Sequence, residues 1–201
     1  RPMTLQQNAR DAAGLLKHLG ISRADIFGES YGGATAVLIA LHHPELTGRV
    51  ATYGSTFGPL AAALNPEMIH FSSAPTAESG SFRFQRRAYE AVAADPDYWP
   101  RLWQKASSVQ WHGFTDAELA AIKTPILVAV GDRDFVRVEH AVESFRRIPG
   151  AQLAVIPDAG HFLMYSEPER LTPVLESFLR RREKAIPVAT AEMGYQPGES
   201  R

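Results

Sequence analysis

Short apolar runs alternate with helical stripes along this chain, and that alternation limits the fold more than any other feature. The clearest run is Ile126-Leu127-Val128-Ala129-Val130. A strand with one wet face alternates apolar and polar residues, whereas an unbroken run fits a parallel strand covered on both faces. Residues 24–27, 50–53 and 153–156 read as three more short strands. Helical patterns separate them. Leu5, Ala9, Ala12, Ala13, Leu16 and Leu19 form one stripe, with Thr4 and Gln7 at capping-box spacing before it and Gly20 after it. Residues 31–43 are rich in Ala and Leu and stop at Pro44. Residues 138–148 precede Pro149-Gly150, and residues 167–182 carry Leu171, Val174, Leu175, Phe178 and Leu179. Strands alternating with helices imply an α/β fold with a mostly parallel sheet flanked by helices.

A chain of 201 residues is long enough for one domain with a real core. Lys and Arg number 21 against 22 Asp and Glu, a formal net charge of −1, which argues against a nucleic-acid partner. No apolar run is long enough for a membrane span. The absence of cysteine excludes disulfides, thiolate metal sites and a cysteine nucleophile, and it fits a cytoplasmic chain. The start carries no charged-then-apolar export signal. Residues 58–118 break the rhythm with Pro59, Pro66, Pro75, Pro96 and Pro100, and short helical stretches are expected there at 84–94 and 98–107. The expected organisation is a first core part at 1–57, a helical cap insertion at 58–120, a second core part at 121–183 and a disordered tail at 184–201.

The chemistry concentrates at three strand ends. Gly28-Glu29-Ser30-Tyr31-Gly32-Gly33 lies between the first strand and the helix after it, so the pattern G-x-S-x-G falls on a strand-to-helix turn. A nucleophile on so sharp a turn needs small neighbours, which Gly28, Gly32 and Gly33 supply. The helix N-terminus favours developing negative charge, and the Tyr31 amide is placed to donate to an oxyanion. Glu29 is open between tuning the site's charge and an ordinary structural role. A serine hydroxyl needs a base, and the base needs an orienting acid. Asp132 and Asp134 follow the 126–130 strand, and His161 follows the 153–156 strand. Asp132 rivals Asp134 as the acid, and Asp158 reads as a turn former. Among the remaining histidines His18, His42 and His43 lie on helices, while His70, His112 and His140 lack partner motifs, so no metal or other cofactor is expected. The tryptophans Trp99, Trp103 and Trp111 either line a pocket under the cap or glue its helices together.

These residues resemble the α/β-hydrolase superfamily, in its capped esterase, lactonase and aminopeptidase-like members. The order Ser30, Asp134, His161 matches, and the resemblance makes Asp134, the last residue of Gly131-Asp132-Arg133-Asp134, the acid. It covers about residues 4–182. It implies a partial α/β-hydrolase fold, because the His-Gly-type oxyanion segment and the strands of the family that precede the first helix have no counterpart in this sequence. The strand carrying Ser30 would then sit at an open sheet edge, through which the chain would self-associate. The function implied is a serine hydrolase acting on small carboxylic esters, lactones or related acyl compounds through an acyl-enzyme. The alternative is a truncated non-catalytic homologue that serves as a packing or interaction module. A serine at the turn argues against the Asp-nucleophile branches of the superfamily.

Overall fold

The computed structural model describes residues 3–67 and 83–180. The expected tail at 184–201 lies outside them, as do Pro75 and His70 in the middle segment. The first helix, α1, spans Leu5–His18 and is capped by Thr4, whose Oγ1 accepts the Gln7 N–H at 3.0 Å. Only half of the expected capping box forms, because the Gln7 side chain turns to Asp11 at 2.8 Å. Strand β1 (Ala24–Glu29) leads into α2 (Tyr31–His42), and β2 spans Thr47–Tyr53. The middle segment holds α3 (Leu60–Ala63), α4 (Arg83–Val92), α5 (Trp99–Ser107) and α6 (Asp116–Ala120). Strand β3 (Ile126–Gly131), α7 (Val138–Arg147), β4 (Gln152–Ile156), α8 (Leu163–Ser166) and α9 (Pro168–Leu179) complete the order.

The four strands form one parallel sheet in the order β1-β2-β3-β4. Successive side chains of a strand point to opposite faces, and the two hydrophobic clusters sort by that rule. Val50, Ile126, Val128 and Val130 join Val37, Phe57 and Trp111 on one face. Ala51, Tyr53, Leu127 and Ala129 join Leu171, Leu175 and Phe178 of α9 on the other. The apolar run of β3 is buried at every position, as a strand between two helical layers must be, whereas the edge strands β1 and β4 are only partly covered. Helix α2 is buried on nearly all sides because it packs on β1 and β2 while α1 covers it. Among the described residues no helix is long and apolar enough to cross a membrane.

The middle segment is not uniform. Tyr89, Trp99 and Trp103 pack ring against ring, with centroids 5.7 and 5.9 Å apart. Trp111 belongs to the sheet's own core: it meets Phe114 edge-on at 4.9 Å and donates its Nε1–H to the Thr56 carbonyl at 3.0 Å. Its ring is therefore spent on core packing and is not free to line a pocket.

Candidate active site

Ser30 closes β1 and opens α2 with φ 54 and ψ −123. A side-chain-bearing residue is strained at such a positive φ and persists there only when its surroundings hold it. Its hydroxyl makes no helix-capping hydrogen bond, so the bland reading of Ser30 as an N-cap fails. The turn is locked from three sides. The Ser30 N–H donates to the Tyr53 carbonyl at 2.9 Å. A Cβ on Gly28 would lie 2.3 Å from the Gly32 carbonyl oxygen, and one on Gly33 would lie 1.9 Å from Ser55 Oγ. Gly32 departs from the expectation, because a Cβ there would meet nothing within 4 Å. What the turn requires at Gly32 is its backbone path, which passes close to Gly28. Tyr31 heads α2, where backbone N–H groups have no intrahelical acceptor.

His161 Nδ1 lies 2.8 Å from Asp134 Oδ1. The Asp134 side chain is fully buried, and the same Oδ1 accepts the Val136 N–H at 2.9 Å. Asp134 Oδ2 is buried without a hydrogen-bond partner among the described residues. Asp132, the rival acid, turns away: its Oδ1 accepts the Ala159 N–H at 3.2 Å and braces the loop that leads to His161. Asp158 adopts φ 48 in that loop, a conformation aspartate tolerates, so it shapes the turn as expected. The imidazole is sandwiched as well as hydrogen-bonded. Phe135 stacks on it at 4.7 Å with 19° between the planes, and Phe162 meets it edge-on at 5.3 Å.

Several residues of the site escape a reading of the sequence. Tyr53 ties the pieces together: its carbonyl holds Ser30, and its hydroxyl donates to the Gly160 carbonyl at 2.7 Å, beside His161. Burial, with the Asp134 and Glu29 carboxylates nearby, pushes that hydroxyl's pKa upward, so it remains a donor. Gly54, at φ 55, leaves room for the acid and the imidazole, since a Cβ there would lie 2.8 Å from both Asp134 Oδ2 and His161 Nδ1. Asn65 Nδ2 donates to the Asp134 carbonyl at 2.8 Å, and Leu64 bridges to Val136. The one sequence signal for this group was a Tyr-Gly pair at the end of an apolar strand. An apolar depression lined by Leu127, Gln152, Leu153, Val174 and Phe178 lies at the start of β3 and β4, away from the strand ends that carry these residues.

A serine on a strained strand-to-helix turn, with an imidazole and a buried carboxylate gathered at the same sheet edge, defines a hydrolase-type site. The model of the Alpha/beta hydrolase family matches residues 1–174, and the chain belongs to that family. It is 31% identical over 196 residues to the 2-hydroxy-6-oxononadienedioate/2-hydroxy-6-oxononatrienedioate hydrolase of Burkholderia vietnamiensis, covering 87% of this chain and 68% of that protein. It is 28% identical over 199 residues to the 2-hydroxy-6-oxo-6-phenylhexa-2,4-dienoate hydrolase of Comamonas testosteroni, covering 87% and 69%. The enol-lactonase from Burkholderia xenovorans shares the fold at a TM-score of 0.64 and 23% identity, over 90% of this chain and 74% of that one. The chain is thus a hydrolase-family enzyme that spans about two-thirds of the length of these relatives.

Proposed function

We propose that the chain is a serine hydrolase of small carboxylic esters, lactones or related acyl compounds, with Ser30 as nucleophile, His161 as base and Asp134 as orienting acid. The observation that carries this reading is the 2.8 Å pairing of His161 Nδ1 with Asp134, at the sheet edge where Ser30 holds φ 54. A neutral ring that donates its Nδ1–H to Asp134 keeps Nε2 as an acceptor. Ser30 Oγ bonds to the acyl carbon and its proton passes to His161 Nε2. The oxyanion forms against the Tyr31 N–H. Collapse breaks the bond to the leaving alkoxide, which takes the proton from His161. Water then attacks the acyl-enzyme, giving its proton to His161, and the acid departs as Ser30 regains its hydrogen. No metal or organic cofactor enters these steps. In this reading the segment at 58–120 is a cap, and Trp99 and Trp103 are its candidates for a pocket wall.

A second reading is favoured by the names of the relatives above. A 2-hydroxy-6-oxo-dienoate also offers Ser30 a carbonyl carbon, but the bond that breaks is carbon to carbon and the leaving carbon must be protonated. One panel separates the readings: p-nitrophenyl acetate, a γ-lactone and 2-hydroxy-6-oxo-6-phenylhexa-2,4-dienoate, each against the chain and its Ser30→Ala variant. Turnover of the first two that vanishes in the variant supports the ester and lactone reading. Turnover of the dienoate alone moves the assignment to carbon–carbon cleavage. No serine-dependent turnover of any of them would leave the non-catalytic homologue standing.

A further inference from the structure

Glu29 is a carboxylate that the chemistry above does not use. It is the last residue of β1, stands in register with Tyr53 and precedes Ser30. Its Oε1 is buried without a hydrogen-bond partner among the described residues, and its carboxylate accepts a hydrogen bond from the Tyr165 hydroxyl of α8. Its charged surroundings come from every neighbouring element. Tyr53 faces it from β2, Asp134 from the loop after β3, His161 from the loop after β4 and Tyr165 from α8, with Asp132 and Arg170 reaching Tyr53. Burial pushes the Glu29 pKa up, and His161 is the largest influence drawing it back down.

A half-buried carboxylate with an orphaned oxygen costs folding free energy. A folded-state pKa above the unfolded value means the folded chain holds the proton more tightly, so stability falls as pH rises through that range. Glutamine would keep an acceptor for Tyr165 and shed the charge. A purely structural role would therefore favour glutamine at this position. The gain that offsets the charge lies at His161, which becomes positive in the proposed reaction.

We propose that Glu29 is a positioning residue for His161: its carboxylate is a second negative charge that stabilises the imidazolium formed when Ser30 loses its proton, while Asp134 fixes the ring's orientation. The inference rests on the assignment of Ser30 and His161 given above. Asp134 approaches the ring from β3, whereas Glu29 approaches it from the strand that bears the nucleophile.

The test is Glu29→Gln in the full chain. The His161 imidazole titration is followed by NMR, with His161→Gln to assign the signal. In Glu29→Gln the midpoint should fall by about 0.5 pH unit or more, on the scale of a nearby opposite charge weakened by partial exposure. With p-nitrophenyl acetate the acid limb of kcat/KM should move to lower pH by the same interval, and the plateau should drop about threefold. The melting temperature at pH 7.5 should rise. An unmoved midpoint overturns the inference, and so does a Glu29→Gln chain that is less stable than the parent or does not fold. A shifted midpoint in a chain with no serine-dependent turnover overturns the hydrolase reading and leaves the Glu29–His161 pairing in place.

Discussion

Gly54 has no side chain because Asp134 and His161 occupy the space where one would go. Gly54→Ala should therefore separate the pair and also strain a backbone at φ 55. Its expected signature is a fall in kcat larger than the loss of thermal stability explains, read from kinetics and melting curves on one preparation. Ser30→Ala should abolish hydrolysis with circular dichroism unchanged, and a fluorophosphonate should label the parent at Ser30 and nowhere else. The two aspartates of the β3 loop should behave differently. Asp134→Asn should lower kcat about 10⁴-fold, as loss of the orienting acid does in other triads. Asp132→Asn should cost far less, because Asp132 braces Ala159 and does not touch the imidazole. The reverse ranking would reassign the acid. Ser30, Asp134 and His161 were legible because each follows its own strand within a few residues. Tyr53, Gly54, Asn65 and Phe135 were not, because their partners come from other strands and loops, and a linear sequence does not display register.

Strands and long helices were readable from periodicity, and their bounds moved by only a few residues. The first strand read at 24–27 runs Ala24–Glu29, and the last helix read at 167–182 is Pro168–Leu179. Helices α3, α6 and α8 were missed because four or five residues cannot display a 3.6-residue period. At the element scale, α7 is tied to the loop after β2 by a buried histidine. His140 Nε2 accepts the Phe57 N–H at 3.0 Å, and the Ser144 hydroxyl packs beside it. Burial lowers the His140 pKa, so the unfolded chain takes up a proton before the folded chain does. Stability from this contact is thus complete above the ordinary histidine value of about 6.5 and is lost as pH falls below it. Melting temperatures at pH 7.5 and 5.5 should differ more in the parent than in His140→Gln. At the other end of the chain, Thr4→Ala removes the α1 cap and should cost about 1 kcal/mol in denaturant unfolding.

At the scale of the whole molecule, β1 has a strand neighbour on one side only among the described residues, and it carries the serine turn. Unpaired strand backbone is a template for another chain. The 201-residue polypeptide on its own is therefore expected to elute ahead of a 22.1 kDa monomer in size-exclusion chromatography, in a concentration-dependent way. Monomeric elution across the accessible concentration range would refute that. The connection between β2 and β3 has a different consequence. These strands are immediate neighbours, with Val50 beside Ile126, so the long excursion between them departs and returns at adjacent points of the sheet. Chain entropy grows only logarithmically with the length of such an excursion, and doubling it costs about 0.6 kcal/mol. The stretch from Leu60 to the end of α5 is therefore free to lengthen, shorten or change its aromatic inventory over evolutionary time without re-registering a single strand. The sheet edge that bears Ser30, Asp134 and His161 is thereby insulated from experiments in substrate range.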